Sequence, residues 1–312
     1  MDNKEKNFAS AVIYVHNCEN RIEAFLDTII IFLEERFEHS EIICVNDCSD
    51  DASVDVIRKV SEHASLTSIS VITMSYYHGL ELAMNAGMDL AIGDYVFEFD
   101  NTRLDFDPSV IWNVYTHSLE GYDIVSASPD RTERFSSRIF YMVFDRFTEL
   151  SYQMCTESFR ILSRRVINRV SGMNRTIPYR KAIYANSGLK TDNLKYQPIS
   201  VFDSQEDRKE KKFRRELAGD SLIMFTDTGY VFAKAMTLLM MFISIIMMIY
   251  TVVIYLLSSP VAGWTTTVFF LSVAFFGIFA LMTIIIKYLQ VLVNLVFKRK
   301  QYSFESIEKI TK

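Results

Sequence analysis

The sequence is poor in cysteine, proline and glycine: its 312 residues include 4, 5 and 10 of them. Cys18, Cys44, Cys48 and Cys155 show no metal-ligand spacing, so no cysteine-based metal module is expected. In a cytosolic domain they are most simply reduced thiols. No internal repeat or low-complexity tract is present. Net charge is a mild -5, and no nucleic-acid partner is expected. The N-terminus, MDNKEKNFAS, lacks the apolar core of a signal peptide. The most informative absence is of charge itself. Between Lys234 and Lys287 there is no charged residue. A bilayer span takes ~20 apolar residues, so this stretch accommodates two. It divides at SSPVAGW (258–264), where Pro260 and Gly263 supply turn chemistry. The expectation is a two-helix transmembrane hairpin in preference to two buried core helices.

The charges that are present orient that hairpin. RKEKKFRR (208–215) precedes the first apolar run and KRK (298–300) follows the second, while the turn between them is uncharged. Positive flanks stay cytoplasmic, so both termini and the large N-terminal region are expected in the cytoplasm, with the chain multi-pass in an inner or plasma membrane. The basic stretch also carries Phe213, Leu217, Leu222, Ile223 and Phe225. That mixture suits an interfacial amphipathic helix whose Arg208, Lys211, Lys212, Arg214 and Arg215 meet anionic headgroups or a lipid phosphate. A solvated linker is the alternative. The chain thus divides into a globular region (1–203), a basic juxtamembrane segment (204–229), two transmembrane helices (230–297) and a polar cytosolic tail (298–312).

Within the first region, apolar runs alternate with segments of helical spacing. Strands are predicted at 10–17, 41–47, 68–74 and 94–100, and helices at 20–37, 53–64 and 79–92. Repeated strand–helix units imply an α/β fold with a mostly parallel, doubly wound sheet, which binds ligands at the carboxyl ends of its strands. Asp47 and Asp100 sit at two such ends. Glu98 falls inside a central strand, where a bare charge is costly, and its expected partner is an arginine.

Several segments together resemble family-2 inverting glycosyltransferases with the nucleotide-sugar-binding GT-A fold. VNDCSDDAS (45–53) is similar to the family's V-D/N-D-G-S-x-D-x-T loop. GLELAMNAGMDLAIGDYVFEFD (79–100) matches its G-x-x-x-A-x-x-A-G-x-x-x-A-x-G-D-x-V-x-x-x-D stretch through Gly79, Ala83, Gly87, Ala91, Gly93, Asp94 and Asp100. EGYDIVSAS (120–128), SSRIFYMVFDRF (136–147) and SFRILSRRVI (158–167) resemble later segments of the polyprenyl-phosphate branch, which includes dolichol-phosphate-mannose synthases and bactoprenol glucosyltransferases. The resemblance implies transfer of a sugar from a nucleotide sugar to a membrane polyprenyl phosphate, in cell-envelope or surface-glycan assembly, and a homo-oligomer. It implies nucleotide-sugar contacts at Asn17, Asp47, Asp51, Asp100 and Arg160. Arg164 and Arg165 are further candidates for a phosphate. It also implies Mg²⁺ or Mn²⁺ held at Asp100, for which Thr102 and, by their spacing in the loop beyond the strand, Asp105 and Asp107 are alternatives. No catalytic residue is assigned, since a phosphate acceptor is already ionised at neutral pH.

The departures from the family pattern fall on the chemistry. The P-x-Y-N-E at the end of the first strand is YVHNC, with Tyr14 and Cys18 in place of proline and glutamate. The D-x-D metal motif is Asp100-Asn101-Thr102. Ser158 replaces the aspartate of D-F-R-L, and Tyr77 the asparagine of N-x-G. These changes define a second expectation: a catalytically degenerate relative serving as a binding or assembly subunit. Asp105 and Asp107 also read as an acidic loop in which Asp107 opens the turn before Pro108. His16 and His78 either line the cleft or are hydrogen-bonded structural residues.

Overall fold

The computed structural model describes residues 4–130, 156–172, 180–185, 187–199 and 303–311, with scattered helical positions between 235 and 292. Contacts divide the chain into two units, one made of Met1–Ala218 with Lys298–Lys312, the other of Gly219–Phe297.

In the first unit, β1 (Ala9–Val15), β2 (Ser40–Asn46), β3 (Ser68–Met74) and β4 (Tyr95–Phe99) alternate with α1 (Glu19–Arg36), α2 (Ser53–Ser61) and α3 (Leu80–Leu90). Then come α4 (Ser109–Leu119), β5 (Ile124–Pro129), β6 (Phe159–Ser163), α5 (Arg164–Gly172), α6 (Arg180–Ala185), β7 (Thr191–Tyr196) and β8 (Phe304–Lys309). The strands form one sheet in the order β7-β5-β6-β4-β1-β2-β3-β8. The expected parallel, doubly wound core is β3-β2-β1-β4, with β2 and β4 on opposite sides of β1. Winding therefore reverses at β1, the place where such sheets open a crevice beyond their strand ends. Two strands run against this direction: β6 pairs antiparallel with both β4 and β5, and β8 antiparallel with β3.

The two faces of the sheet follow from the two-residue repeat of a strand. Ala9, Ala11, Ile13 and Val15 share one cluster with Phe25, Leu26 and Leu33 of α1, Ile57 of α2 and Val114 of α4. Val12, Ile43 and Val45 share the other with Ala83 and Met84 of α3 and Val166 of α5. Gly87 is where α3 comes closest to the strands: an added Cβ would lie 2.4 Å from Val12 Cγ1 and 2.7 Å from Val45 Cγ2. The helix can seat over β1 and β2 only because that side chain is missing.

Residues 304–309, read from sequence as part of a polar tail, form the edge strand β8. Its pairing is closed at one end by Ser75 N–H donating to the Ser303 carbonyl (3.0 Å) and at the other by Ile310 N–H donating to Ile69 (2.9 Å). Every residue of β8 is exposed, so no apolar alternation marked it in the sequence.

In the second unit, the described positions are helical, and Leu239, Phe242, Ile246, Leu271, Ile278, Met282, Ile285, Leu289 and Leu292 are exposed apolar side chains. Among the described residues no helix is long and apolar enough to cross a membrane. The expected hairpin falls largely outside the described residues, as does the whole basic segment with Arg208, Lys211, Lys212, Arg214 and Arg215.

Candidate functional site

The parallel strands bring the loops after β1, β2 and β4 to one edge of the sheet. Asp47 follows β2 and is fully buried. Its Oδ1 accepts from the His78 N–H (2.8 Å), and its Oδ2 from the Gly79 N–H (2.8 Å) and the Tyr14 hydroxyl (3.0 Å). Gly79 caps the start of α3 with a φ of 79°, a conformation glycine adopts without steric cost. The carboxylate expected to contact a nucleoside thus serves the amide groups that lead into α3. The tyrosine found where the family carries proline supplies its third donor.

The next loop joins two helix starts. Asp51 Oδ2 accepts from the Glu19 N–H at the head of α1 (3.0 Å), while its Oδ1 accepts from the Ser53 N–H at the head of α2 (3.0 Å). Glu19 returns the contact by accepting from the Ala52 N–H (3.0 Å). Each acid satisfies amides that have no partner within their own helix. Burial works against ionising Asp51, but the Ser53 hydroxyl and these amides outweigh it and hold its carboxyl below the usual range. Asn17 is left-handed, with a φ of 45°, and its Oδ1 accepts from the Asp50 N–H (2.8 Å). Asn17 and Asp51 are therefore brought together as the frame of this loop.

Asp100, beyond the end of β4, lies in a cluster of charges. One oxygen accepts from Arg160 Nη2 (3.0 Å) and the other from Arg180 Nη2 (2.7 Å). Arg160 also reaches Glu98 (2.8 Å) and Glu157 (2.9 Å), and Arg180 reaches Glu98 (2.9 Å) and Glu81 (2.9 Å). The Tyr184 hydroxyl donates to Glu98 (2.8 Å), and Lys181 Nζ stands 3.5 Å from Glu157. Both arginines are almost wholly buried, at 2% and 1% exposure, and Glu98 at 0%. Glu98 and Arg160 are directly opposite on β4 and β6, which puts their side chains on one face. The arginine partner expected for Glu98 is present twice. Burial alone would raise the Asp100 carboxyl, but the charges of Arg160, Arg180 and Lys181 overcome it and hold the group well below the usual carboxylate range. Burial likewise opposes charge on both arginines, and their carboxylate neighbours hold both guanidinium groups firmly protonated.

Arg160 was expected to face a phosphate. Here its Nε, Nη1 and Nη2 all point at carboxylates, because β6 enters antiparallel and delivers the side chain under the end of β4. The same reversal carries Arg164 and Arg165 to the opposite edge, where Arg164 Nε donates to the Gly93 carbonyl (2.9 Å) and Arg165 lies 3.6 Å from Asp123. Sequence reasoning did not single out Arg180, Glu81, Glu157 or Tyr184. Arg180 belongs to no motif, and the one signal for it was the demand of Glu98 for a cation.

The remaining acids are engaged elsewhere. Asp105 accepts from the Tyr196 hydroxyl (2.8 Å), and Asp107 accepts from the Ser109 N–H at the start of α4 (2.9 Å). Thr102 is buried, and burial keeps the nearby Cys18 thiol protonated. Cys18, Cys44 and Cys48 are free thiols, and Cys155 lies outside the described residues. His16 bonds the Asp47 carbonyl (2.7 Å), and buried His78 bonds the Tyr76 carbonyl through Nδ1 and accepts from the Ser303 N–H through Nε2 (3.1 Å). The expected metal ligand is Asp100, with Thr102, Asp105 and Asp107 as its alternatives. Both Asp100 oxygens carry guanidinium hydrogens, and Asp105 and Asp107 bind other partners. Among the described residues no three His, Cys, Asp or Glu side chains are grouped to hold a metal ion. Among the described residues, the donors around Asp100 do not fit a divalent cation.

Comparison with known proteins gives this arrangement a context. A family model described as glycosyl transferase family 2 matches residues 10–171. An uncharacterized glycosyltransferase of Synechocystis is 29% identical over 202 residues, covering 63% of this chain and 61% of its own length. A prophage bactoprenol glucosyl transferase homolog of Escherichia coli is 28% identical over 197 residues, covering 60% of this chain and 62% of its own. The match thus spans about three fifths of the length of these two relatives. Among solved structures, glucosyl-3-phosphoglycerate synthase of Mycobacterium tuberculosis superimposes with a TM-score of 0.51 at 16% identity, over 70% of this chain and 81% of that one. That likeness is one of fold.

Proposed function

The chain belongs to glycosyl transferase family 2, and from that premise we propose that it moves a sugar from a nucleotide sugar to a polyprenyl phosphate at a membrane surface, in cell-envelope or surface-glycan assembly. The observation that carries the reading is the match over 10–171, the stretch whose β1, β2 and β4 bring Asn17, Asp47 and Asp100 to one sheet edge. The acceptor is drawn from the bactoprenol glucosyl transferase homolog. In the reaction, a phosphate oxygen of the lipid forms a bond to the anomeric carbon as the bond from that carbon to the nucleoside diphosphate breaks, with inversion. The phosphate is ionised at neutral pH, so no side chain has to remove a proton.

The membrane part of the reading rests on the charge-free run between Lys234 and Lys287 and the apolar side chains exposed along the second unit. Chain connectivity adds to it. β3, before the apolar run, pairs with β8, after it, so a segment between them that crosses a bilayer crosses it an even number of times. Two spans with both flanks cytoplasmic satisfy that condition and the placement of the basic residues.

The direct test is to incubate the purified full chain with polyprenyl phosphate and UDP-, GDP- and dTDP-sugars, following nucleoside diphosphate release and lipid-linked sugar. Product from one donor is the expected result, and no binding of any donor by calorimetry would sink the proposal. The second reading, a binding or assembly subunit without turnover, is favoured by one observation: the Asp47 and Asp100 oxygens are already taken up by the protein's own donors. Donor binding without product formation would select it.

A further inference from the structure

We infer that Arg160 and Arg180 supply the counter-charge at Asp100 in place of a divalent cation, so that nucleotide-sugar binding by this chain needs no cation ligated by Asp100. The inference deepens the glycosyltransferase reading and rests on it. It begins with the charge around the carboxylate. Each Asp100 oxygen accepts a guanidinium hydrogen, at 3.0 Å and 2.7 Å, so a cation ligated there either shares an oxygen with an arginine or displaces one. A displaced arginine has nowhere favourable to go. Arg180 would stay between Glu81 and Glu98, and Arg160 between Glu98 and Glu157, each still beside the incoming cation and repelling it. Withdrawing either one would leave buried carboxylates uncompensated.

The cluster is also built by the backbone. Glu98 and Arg160 face each other in strand register, and the Arg180 N–H donates to Glu81 (2.9 Å) as its side chain does, which fixes the start of α6 against α3. A site prepared for a metal would present carboxylates with oxygens to spare and a second ligand two residues on. Here the second position is Thr102, a buried side chain with a neutral hydroxyl.

The test uses the full chain and two probes. Calorimetry with the nucleotide-sugar panel is run in EDTA and then in millimolar MnCl₂, and Mn²⁺ binding to the protein alone is followed by electron paramagnetic resonance. The expected result is a donor affinity that differs by less than about tenfold between EDTA and Mn²⁺, or ~1.4 kcal/mol. No stoichiometric Mn²⁺ site is expected on the protein. Donor binding that vanishes in EDTA, returns with Mn²⁺, and fails to return in Asp100→Asn would overturn the inference. Should no donor bind in either condition, the glycosyltransferase reading fails, and the resonance arm still decides whether Asp100 ligates a cation: Mn²⁺ bound by the native chain but not by Asp100→Asn overturns the inference, and no bound Mn²⁺ upholds its claim about Asp100 alone. Thermal unfolding in EDTA provides a readout that a metal ligand would not move. Asp100→Asn is expected to lower the midpoint without any metal present, whereas a carboxylate held free for a cation would leave it unchanged. If Asp100→Asn does not fold, the native chain's calorimetry and resonance arms stand without it.

Discussion

Asp47 and Asp100 occupy equivalent places, each just past the carboxyl end of a parallel strand beside β1, and the fold answers them differently. Asp47 receives two backbone amides and a tyrosine hydroxyl, all neutral donors contributed by the loop that begins α3 and by β1. Asp100 receives two guanidinium groups, contributed by β6 and α6. The first arrangement orders a loop, since the amides have nowhere else to donate. The second orders charges from three separate elements, and its members depend on one another for compensation in a buried setting. Losses at the two ends should therefore differ in kind and size.

The largest effect is expected at the charged end. Arg180→Met removes the partner shared by Glu81, Glu98 and Asp100 while keeping most of the apolar stem. Breaking a buried pair from one side costs about 3–5 kcal/mol, and urea unfolding of the native chain and the variant measures it. At the other end, Asp47→Asn keeps the shape but turns an amide group toward the donors of His78 and Gly79. Leaving a buried group unsatisfied costs about 1–3 kcal/mol. Equal losses at both ends would erase the distinction drawn between them.

Acid should weaken the charged end. The folded Asp100 carboxyl is held well below the usual range, chiefly by Arg160 and Arg180 acting against burial. An unfolded aspartate titrates near pH 3.9. A depressed group gives its full stabilisation above the unfolded value, and gives it up progressively as pH falls from there through the folded value. The stability difference between the native chain and Asp100→Asn is thus expected to be constant from pH 7 down to about pH 5 and to shrink below about pH 4. Denaturant titrations across that range measure it, and a difference that grows on acidification would contradict the assignment.

How much of this was legible beforehand follows from range. Strand–helix alternation is local, so β1 through β4 and the three helices among them could be read from spacing. The positions of Asp47 and Asp100 at strand ends followed, as did the need of Glu98 for an arginine. What the side chains do there was not local. Arg180 meets Asp100 from 80 residues away, and Tyr14 meets Asp47 across 33. Arg160 was singled out, but its turn toward Glu98, Asp100 and Glu157 was not legible, because the antiparallel entry of β6 leaves no mark in a single strand's sequence. The edge strand β8 escaped for a related reason. With neither face buried, it carries no period-two pattern, and its evidence lies entirely in β3.

The smallest expected effect lies in the Asp47 loop, at Cys48. It occupies the glycine position of the family's V-D/N-D-G-S pattern and keeps the left-handed backbone that glycine would favour, with a φ of 51°. A side chain in that region costs roughly 1–2 kcal/mol. Glycine would relieve this, but it would also widen the unfolded ensemble by about 0.4–1 kcal/mol and lose the contact from Sγ to the Met74 carbonyl (3.3 Å). The terms nearly cancel, so Cys48→Gly is expected to change stability by no more than about 1 kcal/mol in either direction. Its effect on the loop is a sharper probe than its effect on the fold. If the loop is held by Asp47 and its three donors, hydrogen exchange at the His78 and Gly79 amides should stay protected in Cys48→Gly and be lost in Asp47→Asn. Protection lost in both variants would make the Cys48 contact, and not the carboxylate, the tie that holds this end of the sheet.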